Sequence, residues 1–110
     1  MSLRFEGSRP LVLECKNVLR DTLADGTPRV DFQKTRAAKG DASSRFYSPD
    51  QFDVVAACLH AVTESWEFRY ILPMRLPHHK TYPGKLSPTV RVDAAWAKDP
   101  SAVLAKAAAT

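Results

Sequence analysis

One compact stretch near the start of the chain, Leu11-Val12-Leu13-Glu14-Cys15-Lys16-Asn17-Val18, carries both a fold signal and a chemical signal. It is short, apolar and rich in residues that favour β-structure, so we predict a strand. Residues two apart on a strand point to the same face, which puts Glu14 beside Lys16 and turns Leu13 and Cys15 to the opposite, packed face. A charged pair that ends an apolar strand indicates a cleft rather than a core.

The rest of the chain predicts four more strands. Apolar and polar residues alternate over 29–35, so we predict a strand antiparallel to the first, with a helix over 31–39 as the alternative. The apolar run 52–59 predicts a buried strand, and a buried helix is its alternative. Residues 66–72 alternate large apolar and charged side chains, which indicates a half-buried strand in a hairpin with that run. A short strand over 90–92 completes the set.

Two helix starts carry capping residues. Ser48-Pro49-Asp50-Gln51 combines a serine N-cap, proline at the first helical position and glutamine at the third, so it predicts a single helical turn. Asp99-Pro100 predicts the start of a terminal helix over 101–108 in the same way. The proline-rich stretch 73–88 predicts a largely irregular chain.

A length of 110 residues indicates a single domain. We divide it into a loose N-terminus at 1–9, a sheet core at 10–72, a proline-rich basic segment at 73–98 and a helical segment at 99–110. No apolar run approaches the roughly 20 residues of a membrane-spanning helix, and the first residues contain no apolar signal-peptide region. The sequence therefore predicts a soluble, cytoplasmic α/β (α+β) domain with no membrane partner.

The cysteines and histidines form no recognisable site pattern. Cys15 and Cys58 both lie in apolar runs, so we interpret them as buried free thiols, with a lone disulfide as the alternative. Cys58, His60 and the pair His78-His79 lack the paired spacing of structural zinc modules. The sequence also contains no glycine-rich phosphate loop and no nucleophile elbow.

Positive charge is concentrated in two stretches of sequence. The formal net charge is +4, and no acidic residue occurs between Phe68 and Val92. A second basic stretch contains Arg29, Lys34, Arg36, Lys39 and Arg45. Clustered cations indicate a polyanionic partner, most often nucleic acid, and a solvated basic face is the alternative. We interpret the alternating residues Trp66, Phe68 and Tyr70 as a core face rather than as a surface that stacks bases.

Glu14 and Lys16 are the side chains best suited to chemistry. A carboxylate can hold a hard divalent cation such as Mg²⁺. A neighbouring ammonium can orient a water molecule and stabilise phosphate charge. Together they supply half of a metal-dependent site for phosphodiester hydrolysis, and an ion pair without a catalytic role is the alternative.

In this setting the chain resembles the PD-(D/E)XK nuclease superfamily, which has the restriction-endonuclease-like fold. Glu14-Cys15-Lys16 is similar to the (D/E)XK element, and Arg29-Val30-Asp31-Phe32-Gln33-Lys34-Thr35-Arg36 is similar to the Gln-Lys-Thr stretches of some branches. Tyr47-Ser48-Pro49-Asp50-Gln51-Phe52-Asp53 leads into two hydrophobic strands that end near Trp66-Glu67-Phe68. The resemblance spans residues 10–76.

The resemblance implies a mixed β-sheet core with a C-terminal helix, and Mg²⁺-dependent cleavage of DNA. It implies Glu14 as a metal ligand, the backbone carbonyl of Cys15 as a second ligand and Lys16 as the catalytic lysine. Gln33 or Asp31 would supply an auxiliary polar group. The residues implied to contact phosphates are Lys34, Arg36, Lys39 and Arg45.

The sequence departs from the family pattern before Glu14. The family's first acid lies on the preceding strand, whereas the thirteen residues before Glu14 contain no Asp and only Glu6 as an acid. The resemblance therefore implies a core shortened at its N-terminus. Four explanations stay open: the C-terminal part of a longer nuclease, a homodimer that completes the site, the use of Glu6, or a non-catalytic nucleic-acid-binding or assembly domain.

Overall fold

In a computed structural model, the chain is described at residues 2–3 (backbone alone), 10–32, 40 and 46–109. Within these ranges it forms a small, compact α/β domain. The elements are β1 (Ser2–Leu3), β2 (Leu11–Asn17), β3 (Arg29–Asp31), β4 (Val54–Cys58), α1 (His60–Thr63), β5 (Phe68–Ile71), β6 (Thr89–Arg91) and α2 (Pro100–Ala108), with 3₁₀ turns at Pro49–Gln51 and Pro73–Arg75.

The main sheet is mixed, as the sequence predicted, and has the strand order β1-β2-β4-β5. β2 runs parallel to β4, and the outer strands β1 and β5 run antiparallel to their neighbours. Every residue of β4 is buried, so the continuous apolar run is a strand and not the alternative helix. The predicted hairpin of β4 and β5 is confirmed. β1 falls within the segment that we predicted to be loose.

A second, two-stranded sheet pairs β3 with β6 in antiparallel fashion. The prediction that the strand beginning at Arg29 pairs with β2 is therefore wrong. A backbone hydrogen bond from the Leu19 N–H to the Arg29 carbonyl, 2.9 Å, joins the chain just after β2 to the start of β3. β4 takes the position beside β2, so β3 finds its partner much later in the chain. The predicted strand residues 33–35 lie outside the described ranges.

The larger hydrophobic core lies between the two sheets and is rich in aromatic side chains. Phe32 is fully buried there and meets Tyr47 edge to face, with ring centroids 6.1 Å apart. The buried members of this core are Val18, Val30, Phe32, Phe52, Val55, Ala57, Leu59, Ile71, Leu76, Leu86, Val90, Val92 and Trp96. The core therefore backs the face of the main sheet that carries Val55 and Ala57.

A smaller hydrophobic cluster joins the opposite face of the sheet to α2. Its buried members are Leu11, Val54, Val103 and Ala107. The helix begins as predicted, because Pro100 occupies its first turn and the Asp99 carboxylate accepts a hydrogen bond from the Ser101 N–H at 2.9 Å. The predicted capping box at Ser48 and Gln51 is also present. No helix in the described ranges has the length and apolarity needed to cross a membrane.

The end of the β4–β5 hairpin differs from the prediction. β5 begins at Phe68, two residues later than expected, and Trp66 lies in the preceding loop with 74% of its surface exposed. Glu64, with φ of 61°, takes the left-handed conformation that ends α1. The core-face prediction is therefore wrong for Trp66, while Phe68 and Tyr70 are half-buried.

Candidate functional site

Glu14 and Lys16 lie on one face of β2, as the period of a strand requires. The Lys16 Nζ is 3.9 Å from a Glu14 carboxylate oxygen, and the two side chains are 20% and 33% exposed respectively. In the strand ladder the two residues stand opposite Val55 and Ala57 of β4. The pair is therefore fixed by a central part of the sheet and is still open to solvent.

Two aromatic rings surround the Lys16 ammonium. Its Nζ lies 4.6 Å from the centroid of the Tyr47 ring and 5.7 Å from that of Phe32. The Nζ also donates a long hydrogen bond, 3.4 Å, to the Tyr47 hydroxyl oxygen. Ring faces attract cations at these distances. The two rings and the Glu14 carboxylate therefore all help to hold the ammonium in place.

The two rings also mark the ends of the most basic segment of the sequence. Apart from Gly40, the described chain stops at Phe32 and resumes at Phe46, next to Tyr47. Residues 33–45 between them contain four Lys or Arg residues and one acid. The Tyr47 carbonyl accepts a hydrogen bond from the Leu86 N–H at 2.7 Å, which ties the returning chain to the body. Both ends of this basic segment are therefore anchored beside Lys16.

The net charge of the protein comes from the sequence outside the described ranges. Those ranges contain ten Lys or Arg residues and ten Asp or Glu residues, so they balance. The stretch that lacks acids in sequence is also partly neutralised in space, since Arg91 bonds Asp25 across the second sheet at 2.9 Å. That bond holds the pKa of the Asp25 carboxyl well below its ordinary value. One cation of this stretch is therefore paired with an acid from another part of the chain.

The predicted magnesium site lacks donors in the described part of the chain. No group of three or more His, Cys, Asp or Glu residues there is arranged to hold a metal ion. Glu14, whose carboxylate faces Lys16, and the Cys15 carbonyl are the two predicted ligands in these ranges, and Mg²⁺ is usually bound by one or two carboxylates together with water and substrate phosphates. The described residues therefore supply only part of such a site, and any further carboxylate must come from elsewhere.

The two cysteines differ in their surroundings. Both are free, and Cys58 is buried as predicted, but Cys15 is exposed, so the prediction for Cys15 is wrong. On the Cys15 face of β2, the cluster under α2 includes Leu11 and Leu13 but not Cys15. Partial burial, then the neighbouring Cys58 and Glu14, raise the pKa of the Cys15 thiol. The thiol therefore stays protonated at neutral pH and is a poor nucleophile.

Asp31, one of the two predicted auxiliary residues, ends β3 opposite Thr89 and alternates with the buried Val30 and Phe32, so its side chain lies on the strand face directed away from the core. The remaining predicted site residues fall outside the described ranges. They are the auxiliary residue Gln33, the phosphate-contacting residues Lys34, Arg36, Lys39 and Arg45, and the alternative acid Glu6.

Sequence reasoning missed Tyr47 as a partner of Lys16. The available signal was its position, as the second of two aromatic residues that directly follow the basic segment. Comparison of the chain with models of protein families, with curated proteins and with solved structures gives no match.

Proposed function

We propose that this domain binds DNA and that the surface around Lys16 is the contact surface. One observation carries the proposal. Phe32 and Tyr47, the aromatic residues that bracket the basic segment 33–45, are the same residues that hold the Lys16 ammonium. In sequence, four cations lie between these two residues.

The charge distribution supports a contact with phosphates at this place. The described body is balanced, whereas residues 33–45 carry an excess of three positive charges. Attraction of a polyanion is then governed by this segment and not by the domain as a whole. Lys16, 20% exposed, adds a fixed cation at the base of the segment, and Lys85 adds another nearby, since its Nζ is 3.2 Å from the Ser48 hydroxyl.

Such a surface predicts binding dominated by the phosphate backbone. Contacts to phosphates release counterions, so affinity should fall steeply between about 50 and 200 mM salt. Contacts of lysine and arginine side chains with phosphates carry no sequence information directly. We therefore expect weak dependence on sequence.

A pair of fourfold variants tests the proposal by fluorescence anisotropy with a labelled DNA duplex. One variant replaces the four cations of the segment by glutamine, at Lys34, Arg36, Lys39 and Arg45. The matched control removes the same charge from four exposed cations elsewhere, at Arg20, Lys80, Lys98 and Lys106. We expect the first variant to lose affinity by about tenfold or more and to have a shallower salt dependence, and the control to change much less. Equal losses in the two variants would overturn the proposed surface.

Hydrolysis of phosphodiesters is a second candidate, favoured by the placement of Glu14 and Lys16 on one strand face, 3.9 Å apart. The domain would then act as an endonuclease of the type it resembles. A homodimer partner or a longer chain would have to supply further carboxylates for a divalent cation. Light scattering tests whether a homodimer partner supplies these carboxylates. If the domain nicks DNA as a monomer, a homodimer partner is excluded as their source.

Lys16→Met tests this second candidate. The methionine keeps an unbranched apolar side chain between the two rings and removes the ammonium. Plasmid nicking is measured with Mg²⁺, with Mn²⁺ and with chelator. We expect divalent-dependent nicking by the natural protein and none by Lys16→Met, with DNA affinity reduced only slightly. Absence of nicking by the natural protein, with DNA binding intact, leaves the non-catalytic binding domain.

A further inference from the structure

Trp66 is the most exposed large apolar residue among those described, at 74% of its surface. One face of its indole ring is covered by the imidazole of His60, with ring centroids 4.1 Å apart and planes 22° apart. The stack sets the orientation of the indole and leaves the opposite ring face open to solvent. Trp66 is thus presented to solvent in a defined orientation. Lack of room in the core would explain its exposure but not this fixed orientation.

The loop that carries Trp66 is fixed by a dense set of hydrogen bonds. The Glu64 N–H donates to the His60 carbonyl at 2.9 Å, and the Leu59 N–H donates to the Glu67 carbonyl at 2.8 Å. The Thr63 hydroxyl accepts from the Ser65 N–H at 3.2 Å. The ring is therefore held before any ligand arrives, so binding costs little ordering of the loop.

The charge beside Trp66 is negative. Glu64 and Glu67 flank the ring in sequence and are both exposed. Arg69, the next cation along the chain, is half-buried and turns back to donate to the Phe68 carbonyl at 2.9 Å. An open indole face beside two carboxylates suits a cation, because the ring quadrupole and the carboxylates attract the same charge.

We propose that Trp66, Glu64 and Glu67 form a docking site for a lysine or arginine side chain on a basic segment of a partner protein. The cation lies over the open face of the indole, and the two carboxylates accept its N–H hydrogen bonds. The charge preference of this site is opposite to that of the Lys16 surface. A stacked nucleic-acid base is the competing occupant, and it is disfavoured because both glutamates repel the phosphates that accompany a base.

The two tryptophans make the test direct. Trp96 is 4% exposed and its indole N–H donates to the Arg91 carbonyl at 3.0 Å, so it serves as an internal reference. A hexalysine peptide, a hexaglutamate peptide and a short oligothymidylate are titrated into the ¹⁵N-labelled protein. We expect hexalysine alone to shift the indole N–H resonance of Trp66, with that of Trp96 unchanged. A Trp66 shift with oligothymidylate and none with hexalysine would overturn the proposal.

Variants separate this site from general attraction of the peptide to acids. Trp66→Leu is expected to weaken hexalysine binding by about fivefold. The double variant Glu64→Gln/Glu67→Gln is expected to weaken it by about threefold to tenfold. The matched control Asp21→Asn/Asp50→Asn removes the same charge from exposed acids elsewhere and should change binding less than about twofold. Equal effects of the two double variants would show nonspecific attraction and overturn the proposed site.

Discussion

The two faces of the main sheet are packed very differently. One face lies against the second sheet through an aromatic-rich core and carries Glu14 and Lys16. The other face is covered by α2, a helix of nine residues, and leaves Cys15 exposed. The charged pair therefore lies on the face whose geometry is fixed by the larger core. The comparison suggests that the core stabilises the candidate site directly, whereas the helix mainly covers the sheet.

The largest effect is expected from Phe32→Ala. Phe32 is fully buried, contacts Tyr47 and Phe52, and lies 5.7 Å from the Lys16 ammonium. Truncation of such a side chain typically lowers the free energy of unfolding by about 3 to 5 kcal/mol. Urea denaturation at neutral pH measures the loss. A cost below that of the helix variant described next would contradict the contrast between the two faces.

A smaller loss is expected from Val103→Ala on the helix side. Val103 is 9% exposed and packs with Leu11 and Val54. Removing two buried methyl groups should cost about 1.5 kcal/mol. DNA binding measured on the folded variant should be unchanged, because the helix lies on the face opposite Lys16. A loss of DNA affinity in Val103→Ala would show that the two faces are coupled.

Local sequence patterns predicted most of the elements but not all of their partners. Period-two spacing placed Glu14 beside Lys16, and capping residues located the 3₁₀ turn at Pro49–Gln51 and the start of α2. Alternation of polar and apolar residues indicated β3 but carries no information about its partner, which lies about sixty residues away in sequence. Strand pairing over such distances is decided by the packing of the whole domain.

The site shows the same division between local and non-local information. The Lys16–Tyr47 contact joins residues 31 apart, so no local spacing announces it. The exposure of Cys15 depends on how far α2 extends over the sheet, which the sequence of β2 cannot encode. Trp66 continued the alternation of β5 in sequence, but the left-handed turn at Glu64 moved it into the loop. The first two misses depend on distant elements, whereas the third depends on a local turn that the alternating pattern of β5 does not reveal.

A more modest effect is expected from Tyr47→Phe on the core side. The variant keeps the ring beneath the Lys16 ammonium and removes only the hydroxyl, which lies 3.4 Å from Nζ. A long, half-exposed hydrogen bond should contribute less than about 1 kcal/mol to the free energy of unfolding. The useful readout is DNA affinity, which should be nearly unchanged if the ring, and not the hydroxyl, holds Lys16. A large loss of affinity would assign the role to the hydroxyl.

The smallest effect is expected from Asp99→Asn at the start of α2. The hydrogen bonds from Ser101 hold the pKa of the Asp99 carboxyl below its ordinary value. A carboxyl whose pKa is lower in the folded state stabilises the fold above the unfolded pKa, about 3.9, and this contribution is lost as the pH falls through the folded pKa. Asparagine keeps an oxygen that can cap the helix but does not titrate. The protection of the α2 amides against hydrogen exchange, expressed relative to the intrinsic exchange rate at each pH, should therefore fall between neutral and acidic pH more in the natural protein than in the variant. Asp25→Asn, which removes an acid with a lowered pKa far from the helix, is the control and should leave that difference intact. The same loss of protection in Asp99→Asn as in the natural protein would show that the helix face depends on packing alone, and not on its cap.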